Sequence, residues 1–164
     1  MIDGFFHPHD TSRSLPMALL RAREAVMSRF RPMLKAHGVT EQQWRVVRVL
    51  AEAKEIDVTQ LADRTSILGP SLSRILRALE QQKIIRKQQD KKDGRIFWVQ
   101  LTRQGEELIK TIQPDSIRIY AEIETLLGKH SIDRLLGLLA EVTGVLKVPD
   151  VPKLSGASED HDED

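Results

Sequence analysis

The chain contains no cysteine, which excludes disulfides, thiolate metal sites, cysteine nucleophiles and thiol-based redox sensing. Long hydrophobic runs are missing too. No stretch of about eighteen uncharged apolar residues occurs, and the N-terminus, MIDGFFHPHDTSR, has neither the basic leader nor the apolar core of a signal peptide. These absences predict a soluble cytoplasmic protein with no membrane partner. No acid, base and nucleophile converge, so the chain is not expected to be an enzyme. No cofactor and no metal is expected either. His7, His9 and Asp10 lack a further ligand set, and His37, His130 and His161 stand alone in the sequence.

What is present fits one compact domain: 164 residues, 40% apolar and 30% charged, with a formal net charge of +1. The small net charge hides an uneven distribution. Residues 57–103 carry ten Lys and Arg against five Asp and Glu, whereas the stretch from Ser155 has five acids and no Lys or Arg. A basic block in the middle third suits a phosphate-facing surface, as it also suits an ordinary solvated face. The terminal run DVPKLSGASEDHDED has few apolar residues and much acid, so residues 148–164 are expected to be a disordered acidic tail, and residues 1–11 a flexible N-terminus.

Between these ends the apolar spacing is mostly helical. Leu15, Leu19, Val26, Phe30, Met33 and Leu34 predict a helix from Ser14 to about Lys35, stopped by Gly38. Thr40 with Gln43 three residues later is a capping-box pattern opening a second helix through Trp44, Val47, Leu50 and Ala51. Asp57 is placed to cap a short third helix, Val58 to Arg64. From Pro70 to about Gln82, Leu72, Ile75, Leu76 and Leu79 stand at i, i+3, i+4 and i+7, so one face of a fourth helix is buried. Ile84–Gln88 and Ile96–Leu101, joined by DKKDGR with its Asp93-Gly94 turn, predict a β-hairpin with a charged tip. Thr102 caps a long helix to about Leu127, ended by Gly128 and bent or broken at Pro114, and Ser131 is expected to cap a last helix to about Leu146.

The expected fold is therefore mainly α with a small β-hairpin wing. Two helices at a short turn followed by a basic hairpin form a winged helix-turn-helix, whose second helix enters the major groove. On the polar side of the Pro70–Gln82 helix, Ser71, Ser73, Arg74 and Arg77 supply donors for bases and phosphates, and Lys91, Lys92 and Arg95 add sequence-independent phosphate attraction. Double-stranded DNA is the expected partner. A sequence-tolerant architectural DNA binder, or a regulator with no small-molecule ligand, fits the same residues.

Trp44 to Leu50, ILGPSLSRILRALE, DKKDGR and LTRQGEEL resemble the second helix, recognition helix, wing and fifth-helix start of the MarR family of bacterial transcriptional regulators. LLRAREAVMSRFRPMLKAHGVTEQQWRVVRVLAE further resembles the branch that represses homoprotocatechuate and hydroxyphenylacetate degradation operons. The resemblance implies a domain over residues 12–147, with a winged lobe at about 40–102 and dimerisation helices at about 14–37 and 103–147. It implies a homodimeric repressor on a palindromic operator, released by a small aromatic carboxylate. Apolar residues on more than one face of the terminal helices, such as Ile117, Ile119, Tyr120, Ile123, Leu126 and Leu127, are compatible with pairing. Among the DNA-facing positions two depart from the pattern. Lys92 stands where the wing motif has its first arginine, an ammonium without the planar fork, and Gly69 precedes Pro70 where the branch carries arginine.

Trp44 and Arg48, four residues apart, project from one helix face, and an indole beside a guanidinium can cradle an aromatic carboxylate. Spacing alone favours the plainer reading, a buried Trp44 with Arg48 paired to Glu52. The resemblance favours the cradle and implies a pocket of Trp44, Arg48, Tyr120 and Glu41, with Ser12 and Ser14 contributed by the partner subunit's first helix. Arg21 and Arg23 are expected at the dimer contact or the surface, within reach of an anion.

Overall fold

A computed structural model of the chain describes Thr11 and residues 14–146. Ser12, the His7–His9–Asp10 group and the acidic tail lie outside the described residues. The chain divides into two units, the first reaching Glu122 and the second beginning at Ile123.

In the first unit, helix α1 (Leu15–Ala36) leads to α2 (Glu41–Ala53), strand β1 (Glu55–Asp57), α3 (Val58–Thr65), α4 (Gly69–Gln81), strands β2 (Ile85–Gln89) and β3 (Phe97–Leu101), and all but the last turn of α5 (Arg103–Leu127). The local signals act as their chemistry requires. The Thr40 hydroxyl accepts from Gln43 N at 3.2 Å while the Gln43 side chain accepts from Thr40 N at 2.9 Å, closing the capping box. Asp57 Oδ1 accepts from Thr59 N at 2.9 Å and Gln60 N at 3.0 Å. Thr102 Oγ1 accepts from Gly105 N at 3.2 Å at the start of α5.

The core sits where α2, α3 and α4 meet the sheet. Val46, Val47 and Leu50 from α2, Leu61 from α3, Leu72 and Leu79 from α4 and Val99 from β3 are buried together with Ile56, each contributing about 1.5–3 kcal/mol when fully buried. The sheet has order β1-β3-β2 and is antiparallel throughout, pairing Ile56 with Val99 and Ile85 with Leu101. The third strand, β1, is an addition to the expected hairpin. At three residues, with only Ile56 buried, it carries too short an alternation to read as a strand. Its pairing with β3 sets the start of α3, because Asp57 both ends the strand and caps the helix.

Pro114 neither ends nor splits α5, which runs unbroken from Arg103 to Leu127. The proline and Lys110, whose carbonyl it leaves without a donor, are both exposed, so the lost bond falls on the solvent side of the helix. Gly105 allows the first turn of α5 to lie on the carbonyl of Ile84; a Cβ there would run into that oxygen.

The second unit comprises the last turn of α5 and helix α6 (Lys129–Val145). Its cap is Gly128, at φ 80°, and not Ser131. The helix begins two residues before that serine, after a glycine that takes its positive φ at no steric cost. No residue of α6 is buried, and Leu135, Leu136, Leu138 and Val145 are exposed.

Candidate functional site

Two sets of side chains carry the chemistry. The first is the basic winged face. On α4, Leu72, Ile75, Leu76 and Leu79 are buried, which turns Ser73, Arg74 and Arg77 to solvent and leaves Ser71 half-buried. Between α3 and α4 the chain turns at Ser66, in the left-handed conformation at φ 51° and ψ 43°. Helix α4 begins at Gly69 without a side-chain cap.

At the tip of the β2–β3 hairpin, Lys91, Lys92 and Arg95 are exposed. The tip is organised by Asp90. Its Oδ1 accepts from Lys92 N at 2.7 Å and Asp93 N at 2.9 Å, and its Oδ2 accepts from the Trp98 indole N–H at 2.9 Å. The Asp93 amide, the Trp98 indole and the Lys92 amide hold the Asp90 carboxyl below the usual carboxylate range. The lysine at position 92 contributes its backbone amide to this brace, and the indole supplies the side-chain donor. Asp93 Oδ1 in turn accepts from Arg95 N at 3.0 Å, and Gln89 Nε2 donates to Gly94 O at 2.6 Å. In the sequence Trp98 carries only the signal of an aromatic strand residue, since its role as a brace depends on the hairpin bringing it to Asp90.

The second set lines a cleft of about 880 Å³ between α1, α2 and α5. Trp44 forms a buried wall. Arg48 Nη1 donates to the Tyr120 hydroxyl at 3.0 Å, and the Tyr120 ring meets the edge of buried Phe30 with centroids 5.0 Å apart. Arg48 is therefore not engaged with Glu52, which pairs at 3.0 Å with Arg64 instead. Glu41 is a hub for guanidinium groups. Arg23 pairs with its Oε1, Arg45 approaches the same oxygen at 3.5 Å, and Arg31 reaches Oε2 at 3.4 Å. Three arginines (Arg23, Arg45, Arg48) face the cleft with two glutamates (Glu41, Glu52), an excess of positive charge that suits an anion.

Of the residues expected in the pocket, Glu41, Trp44, Arg48 and Tyr120 come together. Ser14 is the N-cap residue of α1 and does not line the cleft of its own chain. Arg21 donates to the carbonyls of Thr11 and Met17, whereas Arg23 enters the cleft. Arg45 is a cleft residue that the spacing reading passed over, although its i,i+4 relation to Glu41 is a recognisable helix pair. Burial, and then the nearby Arg23 charge, lower the Arg45 pKa from its ordinary value. Among the described residues no group of three His, Asp or Glu could hold a metal ion, and no helix is long and apolar enough to cross a membrane.

Comparison with known proteins places these features. The MarR family profile matches residues 37–96. The homoprotocatechuate degradative operon repressor of Escherichia coli is 40% identical over 141 residues, covering 85% of this chain and 95% of that protein. The crystal structure of NadR in complex with 4-hydroxyphenylacetate is 36% identical, with a TM-score of 0.74 over 80% of this chain and 96% of its own. The repressor CouR, bound to a 23-mer DNA duplex, superposes with a TM-score of 0.74 at 25% identity, covering 84% of this chain and 98% of that one. With its winged helix-turn-helix, its basic hairpin and this extent of identity, the chain belongs to the MarR family of transcriptional regulators.

Proposed function

We propose that this protein is a non-enzymatic repressor that binds a palindromic operator as a homodimer and is released by a small phenolic carboxylate seated in the α1–α2–α5 cleft. The observation that carries the effector reading is the Arg48–Tyr120 pair beside the Trp44 wall. A carboxylate accepts from a guanidinium and a phenol at once, and an aromatic ring packs on the indole. Glu41 lies two helical turns before Arg48 on α2, about 10 Å along the axis. A phenyl ring with a one-carbon carboxylate arm and a para hydroxyl fills that span, with a polar contact at each end. The repressor from Escherichia coli and the NadR complex support this chemistry by their similarity.

DNA binding is assigned to residues 40–102. Ser71, Ser73, Arg74 and Arg77 of α4 meet the major groove, and Lys91, Lys92 and Arg95 meet backbone phosphates and the adjacent minor groove. Pairing is assigned to residues 14–37 and 103–147. Leu15, Leu19, Leu20 and Val26 on α1 and Leu135, Leu136 and Leu138 on α6 are exposed in the single chain, and a second copy removes such apolar surface from water. Ser12 and Ser14 then enter the cleft from the partner subunit.

An effector shifts DNA affinity only through a difference in its own affinity for the two conformations. The test is a tryptophan-fluorescence titration with 4-hydroxyphenylacetate. Saturable quenching is expected in the wild type, lost in Trp44→Phe and weakened at least tenfold in Arg48→Ala, which removes a charge-assisted contact worth about 1.5–3 kcal/mol. Quenching that survives in Trp44→Phe belongs to Trp98 and contradicts the cleft assignment.

A further inference from the structure

We infer that Arg45 is a positioning residue that links the cleft to the entry of the recognition helix, by bridging the Glu41 carboxylate and the last-turn carbonyl of α3. The inference rests on the cleft being the effector site. Arg45 Nη1 donates to Thr65 O at 3.0 Å while Nη2 lies 3.5 Å from Glu41 Oε1. One planar guanidinium thus touches the cleft with one hand and the helix-turn-helix with the other.

The Thr65 end is a sensitive place to hold. Helix α3 has eight residues, and its closing carbonyls are divided among few donors: Ile67 N reaches Ala62 O at 3.2 Å and Ser66 N reaches Asp63 O at 3.2 Å. Arg45 supplies the donor for Thr65 O from another helix. Thr65 is buried, and its hydroxyl is committed to Leu61 O at 2.6 Å. The next residue, Ser66, takes a left-handed conformation uncommon for a non-glycine residue, and buried Ile67 and the first turn of α4 follow at once. Where α3 stops therefore sets how α4 is presented.

The Glu41 end is a contested place to hold. Arg23 pairs with the same Oε1, and Arg31 takes Oε2. A phenolic hydroxyl arriving at this carboxylate competes with Arg45, which approaches Oε1 only to 3.5 Å and shares that oxygen with Arg23. Losing that partner frees Arg45 to reorient, and its grip on Thr65 O changes with it. A purely structural Arg45 behaves differently, since removing it alters operator affinity equally with and without effector.

The experiment is fluorescence anisotropy on operator DNA with and without 4-hydroxyphenylacetate, each variant at a concentration that saturates its own tryptophan-quench titration. Its readout is the ratio of the two operator Kd values. A wild-type ratio of about fivefold or more is expected to collapse to within about twofold of one in Arg45→Met, while the acid still binds. Arg45→Lys keeps the charge but cannot span two acceptors, and is expected to collapse likewise; it also serves where the methionine variant folds poorly. A wild-type ratio of one removes the effector assignment and this inference with it. A wild-type ratio that survives in Arg45→Met, or returns with Arg45→Lys, overturns the bridge alone. Complete loss of acid binding in both variants makes Arg45 a ligand contact and also overturns it.

Discussion

Replacing Gly105 by alanine sets two magnitudes of opposite sign against each other. In an unobstructed helix interior, Gly→Ala stabilises by about 1 kcal/mol. Here the added Cβ meets the backbone carbonyl oxygen of Ile84, with Leu101 Cδ2 only 3.1 Å away. That carbonyl cannot swing aside cheaply, because it accepts from Thr102 N at 3.0 Å, and the Thr102 hydroxyl holds the adjoining Lys83 carbonyl at 2.6 Å. Overpacking against a fixed backbone oxygen sits at the top of the usual range, about 3 kcal/mol, so the net effect is a loss of about 2 kcal/mol. At about 2–4 °C per kcal/mol for a chain of this size, Tm falls by about 4–8 °C. Thermal unfolding by circular dichroism at fixed protomer concentration measures it, because Tm of an oligomer depends on concentration. A Tm equal to or above that of the wild type refutes the close approach of α5 to Ile84.

Three further outcomes follow from individual contacts. Asp57→Ala removes the acceptor for two amides of α3 and costs about 1 kcal/mol, whereas Asp57→Asn keeps most of the cap; equal urea midpoints for the two variants contradict the capping role. Because the Asp90 pKa is depressed in the folded chain, its contribution is complete above the ordinary carboxylate value of about 3.9 and is lost as pH falls through the lower folded value. An acid titration of Asp90 followed by NMR, with the Trp98 indole proton shifting in step, shows this, and a midpoint at or above the ordinary value contradicts it. On operator DNA, Lys92→Ala is expected to weaken all sequences alike and lower the salt slope by about 1, while Arg74→Ala costs about 1–3 kcal/mol on the operator and relaxes specificity at one position. Reversed patterns in a salt-series binding assay would exchange the two roles.

Much of the fold was legible because it is written in local signals. The pattern of Leu72, Ile75, Leu76 and Leu79 acts within two turns of one helix, the Thr40–Gln43 box and the Asp57 cap within one, and all three recur in the structure. Strand β1 was not legible, since its stability lies in pairing with β3, over forty residues away in the chain. The start of α6 departs from the Ser131 cap because the backbone freedom of Gly128, not a serine hydroxyl, decides where the helix begins. In the cleft, Trp44 and Arg48 could be joined by spacing on one helix. Their long-range company could not be, because the Arg48–Tyr120 and Arg23–Glu41 contacts depend on how α1 and α5 pack on α2. The wing tip shows the same limit. Lys92 reads as a weakened brace until the Trp98 indole is seen on Asp90.

The most direct test is DNase footprinting of the promoter regions flanking the gene with purified protein, in the absence and presence of 4-hydroxyphenylacetate. One protected palindrome that opens when the acid is added is the expected result. Diffuse protection along the DNA, or a discrete footprint indifferent to the acid and to related phenolic carboxylates, would contradict effector-controlled repression.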